Sequence, residues 1–324
     1  MEDSAITKSD TIQQYDGLLG LETLHPPVFH SDLLRGTELC LSPDYFGDLI
    51  RKETAARNIP FEIADTRADG NYAYLLDKIK TDQITDIIVC GGDGTVSQVA
   101  SWLIHQPVNV GIIPMGSGNG LALAAGIKKD PKKALEVIFN GKASLVDGFR
   151  INNQFSCMLC GIGFDAQVAH DFAKQSTRGL ATYVKQTMRN FFSSPHYPFV
   201  IEIEDLKINT EAFFISIANS NQFGNQVTIA PKASLSDGLL DIVIVNKMNR
   251  FKTLFSLLYQ VSKGKVQELS PDMVYNKGVT YLQTSSLRIK NPGGAPLHID
   301  GEPVASSDAF DIQIIPKAFN LLQA

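Results

Sequence analysis

Three short stretches carry side chains that could do chemistry. The first is Gly91-Gly92-Asp93-Gly94-Thr95, inside VCGGDGTVSQVA (89–100). Its glycines leave almost no side chain around one carboxylate, and glycine lets a ligand approach the backbone closely. The second is PMGSGNG (114–120), where Gly116, Gly118 and Gly120 bracket Ser117 and Asn119. The third is IDGEP (299–303), with Asp300 and Glu302 separated only by Gly301. A glycine-rich turn that opens a helix points free N–H groups and a partial positive charge at whatever sits on it, which suits phosphate. Asp93 beside phosphate points to Mg²⁺. Ser117 and Asn119 can hydrogen-bond phosphate oxygens or hold a metal-bound water. In extended backbone, residues i and i+2 share a face. Asp300 and Glu302 are then expected side by side, one raised in pKa by the other, as an acid–base pair. The competing readings are a tight strand-to-helix connection for either glycine turn and an Asp-Gly hairpin with a solvated Glu for the third stretch.

Positioning these groups takes a sheet. Ile87–Cys90 reads as a buried parallel strand and 96–104 as the helix that follows. Val108–Ile113 repeats the pattern before the second turn. Two adjacent strands ending in small-residue turns put both sets of N–H groups on one sheet edge, where ligands of open α/β sheets bind. Upstream, a helix over 45–58, a strand over 61–64 and a helix over 72–79 continue the alternation of an α/β domain. Residues 1–40 show no clear periodicity. After about residue 145 strands dominate, at 155–161, 199–203, 211–218, 239–245, 287–289 and 310–315, with helical stretches at 178–192 and 250–262. This predicts a largely antiparallel, sandwich-like second domain. The expected division is 1–144 and 145–324.

Composition narrows the function. The chain has 324 residues, 44% apolar and 19% charged, with net charge −5, which argues against wholesale nucleic-acid binding. No run has the length of a membrane span, and MEDSAITKSD is not a signal peptide. Cys40, Cys90, Cys157 and Cys160 make no zinc set, because the Cys157–Cys160 pair has no second pair and no nearby His. These features predict a cytoplasmic protein. No GxxxxGK[ST] loop occurs.

GGDGT at 91–95 and PMGSGNGLA at 114–122 together resemble the diacylglycerol kinase catalytic-domain family, which includes soluble bacterial lipid kinases and sphingosine kinases. VDGFRINNQFSCMLCGIGFDAQV (146–168), APKASLSDGLLDIVIV (230–245) and LHIDGEP (297–303) extend the resemblance. It implies an α/β N-terminal nucleotide-binding domain of the NAD kinase/diacylglycerol kinase type, followed by an antiparallel β-sandwich, with ATP bound between them. It implies transfer of the γ-phosphoryl group to a lipid alcohol, of diacylglycerol or sphingoid-base type. Asp93 would help hold Mg²⁺. Gly91, Gly92, Gly94 and Thr95 would cradle the phosphates, Gly116, Ser117 and Asn119 would line the other side, and Thr66 would contact nucleotide. Glu302 is the implied general base and Asp300 its orienter or a metal-linked partner. Asp147 would meet the acceptor head group, with a turn Asp before Gly148 as the competing reading, and Asp237 would meet a second, structural Mg²⁺.

The chain departs from the family pattern at three points. It lacks an Asn-Pro-x-Ser-Gly turn before Tyr45, where 31–43 (SDLLRGTELCLSP) stands instead. Asn71 replaces a histidine, and Ser236-Asp237-Gly238 replaces Asp-Asp-Gly. Two rivals follow: a catalytically weak nucleotide- or lipid-binding protein, and an NAD kinase, which shares a GGDGT turn. His298 reads either as a proton shuttle or as a strand residue with a satisfied hydrogen bond, and Asp165 as a weaker acidic candidate. The stretch 250–265 (RFKTLFSLLYQVSKGK) reads either as an interfacial helix at a transient membrane surface or as a helix packed on the sandwich. The 180–192 stretch reads either as the cover of a lipid-tail pocket or as core. Sheet-edge pairing could give a homodimer.

Overall fold

The computed structural model describes residues 17–19, 28–31, 43–67, 69–175, 180–222, 230–246, 274–276 and 278–324. The stretches 32–42 and 250–265, and Cys40, lie outside the described residues.

The strongest sequence signal builds the centre of the first sheet. β4 (Asp86–Gly91) and β5 (Asn109–Pro114) run parallel, from Asp86 opposite Asn109 to Gly91 opposite Pro114. Ile87, Ile88, Val110 and Ile113 are wholly buried, each contributing roughly 1.5–3 kcal/mol by leaving water. β2 (Val28–Ser31) joins β4 in parallel, and β1 (Gly17–Leu19) pairs antiparallel with β3 (Glu62–Asp65) and β4. The helices are α1 (Pro43–Ala55), α2 (Ala73–Thr81), α3 (Asp93–Trp102), α4 (Gly120–Ala124) and α5 (Pro131–Asn140). α3 starts three residues earlier than its apolar spacing predicts. Gly92 caps it in extended backbone and its carbonyl accepts from Val96 at 3.0 Å, so Asp93, Gly94 and Thr95 form the first turn.

The two halves share strands. β6 (Lys142–Ile151) pairs antiparallel with the last strand, β17 (Ala309–Gln323), from Ile151 opposite Ile312 to Lys142 opposite Gln323. The register shifts between Ile315 and Phe319, where Lys317 takes φ 52°. Beyond this bulge β17 reaches the first sheet, pairing parallel with β5 at Asn109 and Val110. The position 144/145 lies inside β6.

The remaining strands are β7 (Gln154–Ser156), β8 (Leu159–Gly163), β9 (Tyr197–Ile203), β10 (Leu206–Ala218), β11 (Leu240–Asn246), β12 (Val274–Asn276), β13 (Val279–Thr284), β14 (Ser286–Lys290), β15 (Leu297–Ile299) and β16 (Glu302–Val304). All their pairings are antiparallel. One layer runs β7–β6–β17–β14–β9 and the other β16–β15–β8–β10–β11–β13–β12. β10 belongs to both: Leu206–Ala212 pairs with β9, and the segment from Phe214 on lies between β8 and β11. Phe149, Phe199, Ile201, Ile215, Ile217, Ile242, Ile289 and Phe310 fill the space between the layers. α6 (Phe164–Ala173) and α7 (Leu180–Ser193) interrupt the strands. The strand expected over 155–161 is broken at Cys157-Met158, because those two N–H groups and that of Leu159 turn toward the Asp300 carboxylate.

Candidate active site

The two glycine turns meet back to back. A Cβ on Gly116 would stand 2.7 Å from the Gly92 Cα, and one on Gly92 would stand 3.2 Å from the Gly116 Cα. The Met115 N–H also donates to the Gly91 carbonyl at 3.0 Å. Only glycine lets the turns close on each other in this way. Thr95 folds back over Gly91, where an added Cβ would lie 2.9 Å from its own Cβ. The result is one small-residue platform at the carboxyl ends of β4 and β5, with the N-terminus of α3 opening onto it. Thr66 leaves β3 on the same edge, since Asp65 pairs with Gly17 and Val89 with Leu18.

Within PMGSGNG the side chains have different jobs. Asn119 is buried, in left-handed backbone at φ 54°. Its Oδ1 accepts from the Gly116 N–H at 2.8 Å and its Nδ2 donates to the Gly116 carbonyl at 2.6 Å. The direct phosphate contact expected of the Asn119 side chain is therefore corrected: the amide closes the loop on itself. Ser117 is exposed at the tip, and its carbonyl accepts from Lys129 Nζ at 2.9 Å.

Asp93 is partly buried at the first position of α3. Burial, then the Asp300 charge, pushes its carboxyl up to about 7, against the N–H groups of Asn119, Gly120 and Leu121, which pull it down. The largest influences on it include no Lys or Arg among the described residues. The imbalance fits a divalent cation, since Mg²⁺ takes one or two carboxylates and completes its shell with water and phosphate oxygens. Among the described residues no group of three or more His, Cys, Asp or Glu side chains forms an all-protein metal cage.

The IDGEP stretch is a two-residue hairpin turn joining β15 to β16. Ile299 pairs with Glu302, while Asp300 and Gly301 take φ 49° and 84°, the positive angles of a tight hairpin. The expectation that Asp300 and Glu302 share an extended face is corrected here: the turn sends them apart. Asp300 is buried and Glu302 exposed. Asp300 Oδ2 accepts from Ser97 Oγ at 2.5 Å and from the Cys157 N–H at 3.3 Å. Its Oδ1 accepts from Ser156 Oγ at 2.7 Å and from the N–H groups of Met158 and Leu159 at 3.2 and 3.0 Å. Burial raises its carboxyl above the usual range, with these donors opposing. Asp300 thus ties α3 to the β7–β8 turn. Ser97 and Ser156 escaped the sequence reading; only the four-residue spacing of Ser97 from Asp93 on one helix pointed toward the site. Glu302 lies against the glycine platform: a Cβ on Gly94 would stand 3.3 Å from its Oε1. That contact brings a free carboxylate from the second half beside the first turn of α3.

Asp147 and Asp237 are placed otherwise. Asp147 is buried, with Oδ1 accepting from the Lys317 N–H and Oδ2 from the Gly238 N–H, both at 2.7 Å. The expected contact of Asp147 with an acceptor head group is corrected, because both its oxygens hold backbone. Asp237 is exposed, and its Oδ1 closes a local turn with the Leu239 N–H at 3.1 Å.

Comparison with known proteins gives the family. Residues 42–151 match the model described as diacylglycerol kinase catalytic domain, and 159–323 the YegS C-terminal NAD kinase beta sandwich-like domain. A protein named "Probable lipid kinase YegS-like" from Enterobacter sp. (strain 638) is 29% identical over 246 residues, 73% of this chain and 77% of its own. Its namesake from Shewanella frigidimarina is 25% identical over 307 residues, 91% of this chain and 94% of its own. The chain spans about half the length, 54%, of an uncharacterized Synechocystis relative that is 28% identical over 241 residues. The crystal structure of a diacylglycerol kinase from Bacillus anthracis str. Sterne shares the fold at TM-score 0.62 and 18% identity, over 82% of this chain and 85% of that one. The YegS C-terminal NAD kinase beta sandwich-like model covers half of the chain and follows a diacylglycerol kinase catalytic-domain match over 42–151: the chain belongs to this YegS-type family and is a kinase.

Proposed function

We propose that the chain transfers the γ-phosphoryl group of ATP to the hydroxyl of a lipid alcohol, of diacylglycerol or sphingoid-base type, with Mg²⁺. The observation that carries this reading is Glu302 lying against Gly94, an exposed carboxylate beside the glycine platform. The N–H groups at the start of α3 and the backbone of Gly91, Gly92, Gly94 and Gly116 receive the phosphates, with Thr95 packed beneath and Thr66 and Ser117 at the rim. Asp93 faces the cation. Mg²⁺, when bound, neutralises charge on the phosphates. Glu302 takes the proton from the acceptor hydroxyl, whose oxygen attacks the γ-phosphorus, and ADP leaves. Asp300 positions the turn and supplies field rather than touching the acceptor. Asp147 and Asp237 have no direct part.

The acceptor resides in a membrane, so the enzyme works from the cytoplasmic side as a peripheral protein. Among the described residues no helix is long and apolar enough to cross a membrane. A homodimer through a sheet edge belongs to the same reading, and light scattering of the purified chain tests it.

The test is label transfer from γ-labelled ATP with Mg²⁺ to a panel of lipid alcohols in mixed micelles and to NAD, with Glu302→Gln as control. Labelled lipid that disappears in the variant is the expected result and names the acceptor. The sandwich's likeness to NAD kinase, beside the GGDGT turn, favours NAD as the rival acceptor, and labelled NAD would replace the lipid reading. ATP binding without transfer to anything would leave a binding protein.

A further inference from the structure

The hairpin that carries Asp300 and Glu302 rests on a buried pair of side chains that the proposed phosphoryl transfer does not use. His298, in β15, is 1% exposed, and Asp165, in the first turn of α6, is 6% exposed. His298 Nε2 faces Asp165 Oδ2 at 3.5 Å, and His298 Nδ1 lies 3.3 Å from the Gly301 nitrogen. The backbone N–H of Gly301 can only donate, so Nδ1 is the accepting nitrogen, and a neutral ring would carry its proton on Nε2, which faces the Asp165 carboxylate across 3.5 Å, beyond ordinary hydrogen-bond geometry. The other Asp165 oxygen is held by the Ala166 N–H at 2.8 Å, which fixes the carboxylate's rotation. The space for the pair comes from Gly161, opposite His298 in β8. A side chain there would overlap both the Asp165 carboxylate and the imidazole. α6 grips the same hairpin a second time, through His170 Nε2 on the Leu297 carbonyl at 2.9 Å.

We propose that Asp165 and His298 form a positioning pair: Asp165 holds His298 in the Nε2–H tautomer, and His298 Nδ1 then pins the Gly301 N–H, fixing the turn that aims Glu302 at Gly94. The assignment rests on the proposed role of Glu302 for its catalytic consequence but not for its geometry. Five donors hold the Asp300 side of the turn, whereas Gly301, the next residue, has no side chain of its own to anchor it. The imidazole adds a restraint on the Gly301 side. It acts two residues from Asp300 and four from Glu302, and touches neither ligand nor cation.

The test reads the turn directly. Imidazole ¹⁵N correlation spectra of the full chain, with His298 assigned by its loss in His298→Asn, give the tautomer, and amide hydrogen exchange gives the protection of Gly301. The expected wild-type state is Nε2–H with a protected Gly301. In Asp165→Leu the tautomer preference is lost and Gly301 exchange rises about tenfold, while amides of β4 and β5 keep their rates. His298→Leu has the same effect on Gly301, whereas His298→Asn, which keeps an acceptor near Nδ1, restores protection. An Nδ1–H tautomer in the wild type, or unchanged Gly301 exchange in a folded His298→Leu protein, overturns the proposal. Turnover is the second arm: His298→Leu lowers kcat about tenfold with KM for ATP unchanged, and His298→Asn recovers it. Correct spectra with no phosphoryl transfer in the wild type would sink the lipid-kinase reading and leave the positioning pair standing.

Discussion

Asp93 has three backbone N–H groups aimed at it, and its carboxyl is still pushed up to about 7 by burial and by Asp300. The sign of the consequence is fixed. The folded state keeps this proton to higher pH than the unfolded chain, whose Asp titrates near about 3.9. Between about 4 and 7 the folded state therefore binds more protons, and stability falls as pH rises. The cost is absent below that window and complete above it. Asp93→Asn removes it, so the variant should melt above the wild type at pH 8, by about 1–2 kcal/mol, with the gap closing toward pH 4. Melting curves at both pH values check this, and a gap independent of pH would refute it. Glu302 differs in kind, because it is exposed and has no hydrogen bond or ion pair to lose among the described residues. Glu302→Gln should leave the melting temperature unchanged and lower kcat by about 10²–10⁴-fold. Unaltered kcat in labelled-ATP assays would remove Glu302 from the base role.

At the scale of elements, the glycines separate fold from function. Gly116→Ala drives a methyl to within 2.7 Å of the Gly92 Cα, where backbone meets backbone and neither can yield. It should cost about 2 kcal/mol or more, seen as a lower urea midpoint. Gly94→Ala meets only the flexible end of Glu302, at 3.3 Å. It should cost less than about 1 kcal/mol yet reduce turnover at least about tenfold, by displacing the carboxylate. Equal losses of stability in the two variants would contradict the platform geometry. These elements also show what the sequence could reveal. β4, β5 and their turns were legible because short apolar runs end in glycine within a few residues. The start of α3 at Asp93 was not, since its first turn carries no apolar residue and the periodic signal begins at Val96. At 299–302 the sequence allows both an extended shared face and an Asp-Gly hairpin with a solvated Glu, and the structure is the hairpin. The positive φ of Asp300 has no pattern of its own beyond the Asp-Gly pair, and its donors at Ser97 and Ser156 lie 203 and 144 residues away in sequence.

Over the whole molecule, the two halves are sewn together by the last strand, and Asp147 guards the stitch. Its carboxylate accepts from the N–H of Lys317, at the bulge where β17 turns from the sandwich to the first sheet, and from that of Gly238. Both donors lie far along the chain, so nothing local marks Asp147 as a fold clamp; the head-group role rests on the resemblance, and the Asp-Gly pair suggests only a turn. Asp147→Asn puts an amide NH₂ against at least one of these donors and should cost about 2–3 kcal/mol. The loss should fall on both halves at once. Past the bulge, Asn320 and Leu321 pair with Asn109 and Val110 of β5, the strand that ends in PMGSGNG. Freeing the tail of β17 therefore loosens the platform that receives phosphate, although the mutated residue is not part of it. Amide exchange in Asp147→Asn should speed up at Val110–Ile113 as well as at Phe149–Ile151, by about tenfold or more. If only the sandwich amides respond, β17 is not the coupling element, and the two halves hold their shapes independently.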